Sequence, residues 1–336
     1  MTDALMDRAA GTLLGTAVGD ALGVPYEFAT PLEAGQRPEM IGGGLGDFAP
    51  GEWSDDTAMT VAVARAVAAG ADLTAASGCD LVAAGFLSWF DGGPADIGNQ
   101  TRAVLGAVRR RAAGTEAAGG QAMGGLLAQE ARVFAVDHPH AAGNGALMRT
   151  TPVALWRPDD REATAVAARV VASLTHADPV AGDSCILWTE AVRVALTERQ
   201  FVATAGLDLV PGARRDWWRA LLDDALTDTS SGVPGRRFSP NGWTVTALQA
   251  AVVAVAAGLR SEAPLEEGLC HAVRIGDDTD TVAAIAGGLL GALHGAASIP
   301  AAWADRVHGW PGLTGPDLVA LGRACLSAGQ AGAADL

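Results

Sequence analysis

The chain is short of positive charge. Its 336 residues hold only 23 Lys and Arg against 38 Asp and Glu, a formal net charge of −15. A protein that binds by neutralising a nucleic-acid backbone needs the opposite balance, so a nucleic-acid duplex is excluded as the main partner. An anionic ligand would have to be held by metal ions and backbone N–H groups instead. Cysteine is sparse as well. Cys79, Cys185, Cys270 and Cys325 are widely scattered, with no Cys-x-x-Cys pair and no compact secreted size, which reads as reduced core thiols. Runs that alternate β-branched or aromatic residues are nearly absent, which leaves little material for strands. Met1-Thr2-Asp3 opens without a basic segment and Asp20 breaks the first apolar stretch, so the expectation is a cytoplasmic chain without a signal peptide. The one membrane-like run, 282–293, is shorter than the roughly 20 residues that a bilayer span needs. With Gly287, Gly291 and Gly295 four apart, it reads as a buried helix packed closely through its glycines.

What the chain does have is long windows rich in Ala, Leu, Val, Arg and Glu, punctuated by Gly and Pro. That pattern predicts an all-α protein, and the lack of any composition break predicts one domain over 1–336. Helices are expected near 6–21, 56–70, 72–90, 99–113, 119–132, 145–156, 160–174, 179–198, 213–227, 243–259, 263–273, 280–296 and 315–328. Several are apolar nearly all round, as central helices of a large bundle are. The segment 229–241, with Pro234, Pro240 and Arg236-Arg237, reads as a surface loop. No repeat of fixed period is present.

The chemistry concentrates between helices. Gly276-Asp277-Asp278-Thr279-Asp280-Thr281 crowds three carboxylates into four residues ahead of an apolar helix, and Ser54-Asp55-Asp56-Thr57 does much the same ahead of another. One helix start needs one capping oxygen, and a second like charge beside the first is costly unless a cation sits among the oxygens. Plain capping accounts for either cluster taken singly. Two such clusters together predict a shared site for two hard divalent cations, Mg²⁺, Mn²⁺ or Ca²⁺, and all-oxygen ligands disfavour zinc. Asp278, Asp280 and Thr281 are the expected ligands from the later cluster, because alternate residues of a turn entering a helix can converge on one point. Asp277 either orients a ligand or is solvated.

Other segments leave two readings open. Gly143-Asn144-Gly145 and Asp96-Ile97-Gly98-Asn99-Gln100-Thr101 each lead into a helical pattern, so each is an anion cradle or a tight turn. His176 is a ligand donor or a helix-end imidazole. His138 and His140 have no third partner at zinc spacing and read as a solvated loop. Glu27 is a general base, a supporting carboxylate or surface charge. Trp243 could stack on a base.

Four motifs in order carry a resemblance. Gly15-Thr16-Ala17-Val18-Gly19-Asp20-Ala21-Leu22-Gly23 with Glu27, Trp53-Ser54-Asp55-Asp56-Thr57, Gly143-Asn144-Gly145-Ala146-Leu147-Met148-Arg149 and Asp278-Thr279-Asp280-Thr281 resemble the ADP-ribosylglycohydrolase family, over roughly residues 8–296. Asp277 departs from it where a second glycine is common, and Gln100 where a small hydroxyl residue is frequent. The resemblance implies a single orthogonal bundle of α-helices with a cleft for two Mg²⁺ or Mn²⁺ ions. Its ligands would be Ser54, Asp55, Asp56, Asp278, Asp280 and Thr281. It implies hydrolysis at the anomeric carbon of the distal ribose of an ADP-ribosylated protein or small ADP-ribosyl substrate, by a monomer. Glu27 or Asp56 would accept a proton, and Asp96 would pair with the guanidinium of ADP-ribosyl-arginine. Gly98, Asn99, Thr101, Gly143, Asn144 and Gly145 would hold the diphosphate, and His176 the ADP part. The rival readings are a hydrolase of free ADP-ribose derivatives or another nucleotide, and a non-catalytic ADP-ribose binder.

Overall fold

The structure, a computed structural model, describes residues 2–113 and 122–331. Its organising contact is between two helices that are buried almost all round. α1 (Asp3–Gly23) is started by Thr2, whose hydroxyl accepts the Leu5 N–H at 3.3 Å, and every residue from Ala9 to Gly23 is buried. α11 (Thr279–His294) is buried from Thr279 to Leu293. The two run antiparallel with their backbones touching. A Cβ built on Gly291 would lie 1.8 Å from the carbonyl oxygen of Gly11, one on Gly287 2.1 Å from that of Gly15, and one on Gly19 2.0 Å from that of Ala283. No side chain fits at these crossings. The consequence is positional: Gly23, at the end of α1, abuts Asp280, at the start of α11.

The other helices wrap this pair. α13 (Gly315–Ala331) lies on α1, while α9 (Thr244–Gly258) and α10 (Pro264–Ile275) pack on each other and on α11. α2 (Asp55–Ala68) packs between α13 and α3 (Ala76–Asp91), and α5 (Met123–Asp137) joins α3 to α4 (Asn99–Ala113). α6 (Arg161–Ser173) lies on α7 (Pro179–Glu198), which reaches α11, and α8 (Gly212–Leu226) covers α9. Asp160 and Asp178 cap α6 and α7 by accepting the N–H groups of Ala163 and Val180, and Pro179 and Pro264 sit where a helix needs no N–H donor. Cys79, Cys185, Cys270 and Cys325 are free thiols, three of them buried. Among the described residues no helix is long and apolar enough to cross a membrane.

The all-α expectation holds with local corrections. The helix expected over 145–156 is instead two 3₁₀ turns, Asn144–Ala146 and Thr151–Leu155. Pro152 offers no N–H to the carbonyl of Met148, so the α-helical ladder is broken there and the chain continues as a separate 3₁₀ turn. The helix expected from 72 starts at Ala76, because Asp72 accepts the N–H and hydroxyl of Thr74 in a local turn. The expected helix start at 119 falls outside the described residues. A short helix α12 (Ala301–Ala304) and a two-stranded antiparallel ribbon, His308–Gly309 with Leu313–Thr314, were not expected. The ribbon has a task. His308 donates to Gly51 O and accepts from Trp53 N, which fixes the segment that enters α2.

Gly287→Ala should therefore force α1 and α11 apart and cost about 2 kcal/mol or more in denaturant unfolding, as overpacked cores do. Gly125→Ala, on the exposed face of α5 with nothing within 4 Å of the added Cβ, should be neutral or stabilising. Equal stability of the two variants would show that the glycine contact does not carry the packing.

Candidate metal centre

The antiparallel pair brings the end of α1 to the start of α11, and the start of α2 meets them there. Asp20, buried in the last turn of α1, accepts the N–H groups of Ser54 and Thr57 on its two carboxylate oxygens, each at 2.9 Å. Thus Asp20 caps α2 from another helix. Ser54, at the N-cap position, makes no cap hydrogen bond and donates its hydroxyl to Asp56 Oδ2 at 3.1 Å. Thr281 Oγ1 donates to the same oxygen at 3.3 Å. The other oxygen, Asp56 Oδ1, is buried with no hydrogen-bond partner.

Two overlapping carboxylate groups result. Asp20, Asp56 and Asp280 each offer an oxygen within 4.8 Å of the others, and so do Glu27, Asp278 and Asp280. Asp280 belongs to both. The positive ends of α2 and α11 face these oxygens and offset part of their charge. Asp278 is steered from outside: Asn144 Nδ2 donates to its Oδ2 at 2.7 Å, and its N–H donates to Asn241 Oδ1 at 2.9 Å. Asp277 orients this turn. Its carboxylate accepts the Asn241 N–H at 2.6 Å, its carbonyl accepts the Phe28 N–H, and its φ of +70° is one that favours glycine.

Elsewhere among the described residues, buried carboxylates are paired with arginine. Asp183 is gripped by Arg169, Arg214 and the Trp218 indole, and Glu190 by Arg161 and Arg193. Among the described residues none of Asp20, Asp55, Asp56, Asp278 or Asp280 has an arginine within ion-pair distance. An orphaned buried carboxylate oxygen in an all-oxygen cluster without a cationic side chain fits a hard divalent cation.

Above the cluster opens a cleft of about 440 Å³. Glu27, Asp55, Asp96, Gly98, Asn99, Thr101, Gly143, Asn144, Gly145, His176, Asp278, Asp280 and Thr281 all line it. Ser54 and Asp56 lie buried beneath its floor. Asp55 accepts the Gly98 N–H at 3.4 Å, which ties the start of α4 to the cluster. Gln100 spends its amide on Thr175 O at 3.0 Å. His176 does not cap a helix: its Nδ1 lies 2.7 Å from Thr175 Oγ1, and its ring lies under Gly143 and Gly145. His138 stacks on Phe134 and bonds to its carbonyl, away from the cleft. Trp243 stands in an adjoining pocket of about 510 Å³ with His140 and Asp178. Sequence reasoning passed over the capping by Asp20 and the bracing by Asn241, since neither partner is near in the chain.

Similarity to known proteins identifies the family. The family model described as ADP-ribosylglycohydrolase matches residues 1–333. The chain belongs to the ADP-ribosylglycohydrolase family, hydrolytic enzymes that act on ADP-ribosyl linkages. It is similar to the ADP-ribosylarginine hydrolase Tri1 of Pseudomonas putida (strain GB-1), with 29% identity over 90% of this chain and 74% of that protein. It is equally similar, at 29% identity over 90% of each chain, to the ADP-ribosyl-[dinitrogen reductase] glycohydrolase of Rhodospirillum rubrum. A solved ADP-ribosylglycohydrolase-related protein complex contains a chain that superposes with a TM-score of 0.70 and 28% identity, over 98% of this chain and 100% of that one.

Burial, then mutual repulsion, raises the acids of this member of the family. Asp55 is pushed up to about 7 and the less buried Glu27 to about 9, while Asp56 and Asp280 go well above the ordinary carboxylate range. Asp20 rises by burial to about 6, held back by its bonds to Ser54 and Thr57. Unfolded carboxylates titrate near about 4, so the metal-free folded state holds protons that the unfolded state releases. Their stabilising contribution is full at low pH and is lost as pH rises through about 6 to 9. Metal-free protein should therefore lose stability as pH rises from about 4, and melt several degrees lower at pH 8.5 than at pH 5.5. Saturating Mg²⁺ or Mn²⁺ should reverse the loss at high pH, by about 2.7 kcal/mol at a hundredfold excess over Kd. Asp56→Asn should raise metal-free stability and abolish the gain from metal. A flat pH profile with no response to hard cations would contradict the cluster's assignment.

Proposed function

We propose that this chain removes ADP-ribose from a modified protein side chain, arginine by preference, by hydrolysing the bond at the anomeric carbon of the distal ribose. The observation that carries the reading is the pair of carboxylate groups sharing Asp280 at the floor of the cleft. The activities for which the Pseudomonas and Rhodospirillum relatives are named support the substrate class. Two Mg²⁺ or Mn²⁺ ions would be held by Ser54, Asp55, Asp56, Asp278, Asp280 and Thr281, with Asp20 and Glu27 as the carboxylates that the geometry adds. Such ions bind ribose hydroxyls and make a water more acidic.

The chain's own residues divide the remaining work. The N–H groups of Asn99 to Thr101, at the start of α4, and those of Gly143 and Gly145 hold the diphosphate, while Gly98 and Asn144, whose own N–H groups are taken by Asp55 and Gly242 O, shape the two turns. Asp96, half-buried on the cleft wall, pairs with the guanidinium of the acceptor arginine. Attack by water forms a C–O bond at the anomeric carbon and breaks the C–N bond, whose electron pair leaves with the arginine side chain as a neutral guanidine that then takes up the proton released from the water. Glu27 or Asp56 takes the proton that the water gives up. Positive charge develops on the ribose ring as the bond breaks, and the carboxylates on the cleft floor stabilise it.

The test is the product. Peptides ADP-ribosylated on arginine or serine, and acylated ADP-ribose, are incubated with the protein and Mg²⁺ or Mn²⁺. Arginine-linked substrate should release free ADP-ribose, and Asp280→Asn should stay folded while kcat/KM falls at least about 100-fold. Release of AMP would mean phosphoester chemistry in its place, and tight metal-dependent binding without turnover would mean a binder.

A further inference from the structure

We propose that Arg149 and Thr175 are positioning residues that lock His176 in the tautomer with its proton on Nε2, presenting a fixed neutral N–H donor to the ligand's diphosphate. The inference rests on the reading of the cleft as an ADP-ribosyl site, and its first half can be tested without that reading. The starting point is a cation that the chemistry above leaves unused. Arg149 is fully buried, sits over the Phe86 ring at 4.5 Å, and has no carboxylate within ion-pair distance among the described residues. A guanidinium can only donate, and its Nη2 donates to Thr175 Oγ1 at 2.7 Å. The Thr175 hydroxyl must then send its single hydrogen elsewhere. The atom in reach is His176 Nδ1, at 2.7 Å. Nδ1 is therefore an acceptor, and in a neutral imidazole the proton then sits on Nε2. Burial, with Arg149 behind it, pushes the His176 pKa down to about 3, so the ring is neutral throughout the working range.

Nε2 is aimed where a ligand would lie. A Cβ on Gly145 would come 3.3 Å from it and one on Gly143 3.5 Å, so the two glycines leave that atom open to the cleft. Gln100 braces the same unit by donating to Thr175 O. Among the described residues no Lys or Arg lines the cleft, so the side chains that meet a diphosphate there are neutral donors, and a correctly oriented imidazole N–H is worth a full hydrogen bond to an anion.

The experiment combines NMR with binding. In ¹⁵N-histidine-labelled protein at pH 7, assigned by difference from His176→Gln, Nδ1 should resonate as unprotonated and Nε2 as protonated. Thr175→Val removes the hydroxyl at constant shape, and should give a tautomer mixture and bind ADP-ribose about tenfold more weakly, raising KM more than it lowers kcat. Thr175→Ser should restore both. A merely structural threonine would change stability and leave the tautomer alone. The proposal is overturned by a wild-type proton on Nδ1, by an unchanged tautomer in Thr175→Val, or by unchanged ADP-ribose affinity in that variant. If Thr175→Val fails to fold, the wild-type spectrum and the Thr175→Ser titration still decide. Wild-type protein with the expected tautomer but no affinity for ADP-ribose would overturn the reading of the cleft, and the diphosphate role with it, while the lock itself would stand.

Discussion

Close approach of two backbones governs this molecule. α1 and α11 meet through glycines, and a carbonyl of each helix occupies the space where a side chain of the other would begin. Because they run antiparallel, the same contact sets the last turn of one helix against the first turn of the other. Asp20 and Asp280 are neighbours for that reason. Wider packing would separate them, and Asp20, which also caps α2 through the N–H groups of Ser54 and Thr57, would no longer join all three helix ends at one point.

Charge crowding is the second constraint, and the chain handles it in two ways. Away from the cleft, Asp183 and Glu190 are neutralised by arginines, an arrangement that holds helices together. At the cleft, neutral groups do the orienting: Asn144 and Asn241 hold Asp278, hydroxyls of Ser54 and Thr281 hold one oxygen of Asp56, and the other is left bare. Neutral donors fix direction without cancelling charge, which keeps the oxygens available to a cation. The same economy extends to the cleft wall, where backbone, amide and imidazole groups stand in place of cationic side chains.

Much of this was legible in the sequence. Two acidic turns, each leading into an apolar helix, announced a shared cluster, and glycines at 287 and 291 announced a helix that packs by its backbone. Both readings depend on local excess, in charge or in smallness, which a linear chain displays directly. The break in the helix expected over 145–156 is legible in Pro152, which interrupts an otherwise apolar helical pattern. Asp277 stands where a glycine is common, and its φ of +70° gives the reason.

By itself, then, the sequence determined the all-helical class, the acidic clusters and the residue types that would face a cation, because periodicity and like-charge density are properties of neighbours in the chain. Tertiary structure alone decided which oxygen each group would use. It gave the cap of α2 to Asp20 rather than Ser54, turned His176 from a helix end toward the cleft, and joined it through Thr175 to a buried arginine in another motif. Those choices are set by distances between residues 26 to 37 positions apart or more, or by the direction of a single hydroxyl, and neither leaves a trace in local pattern.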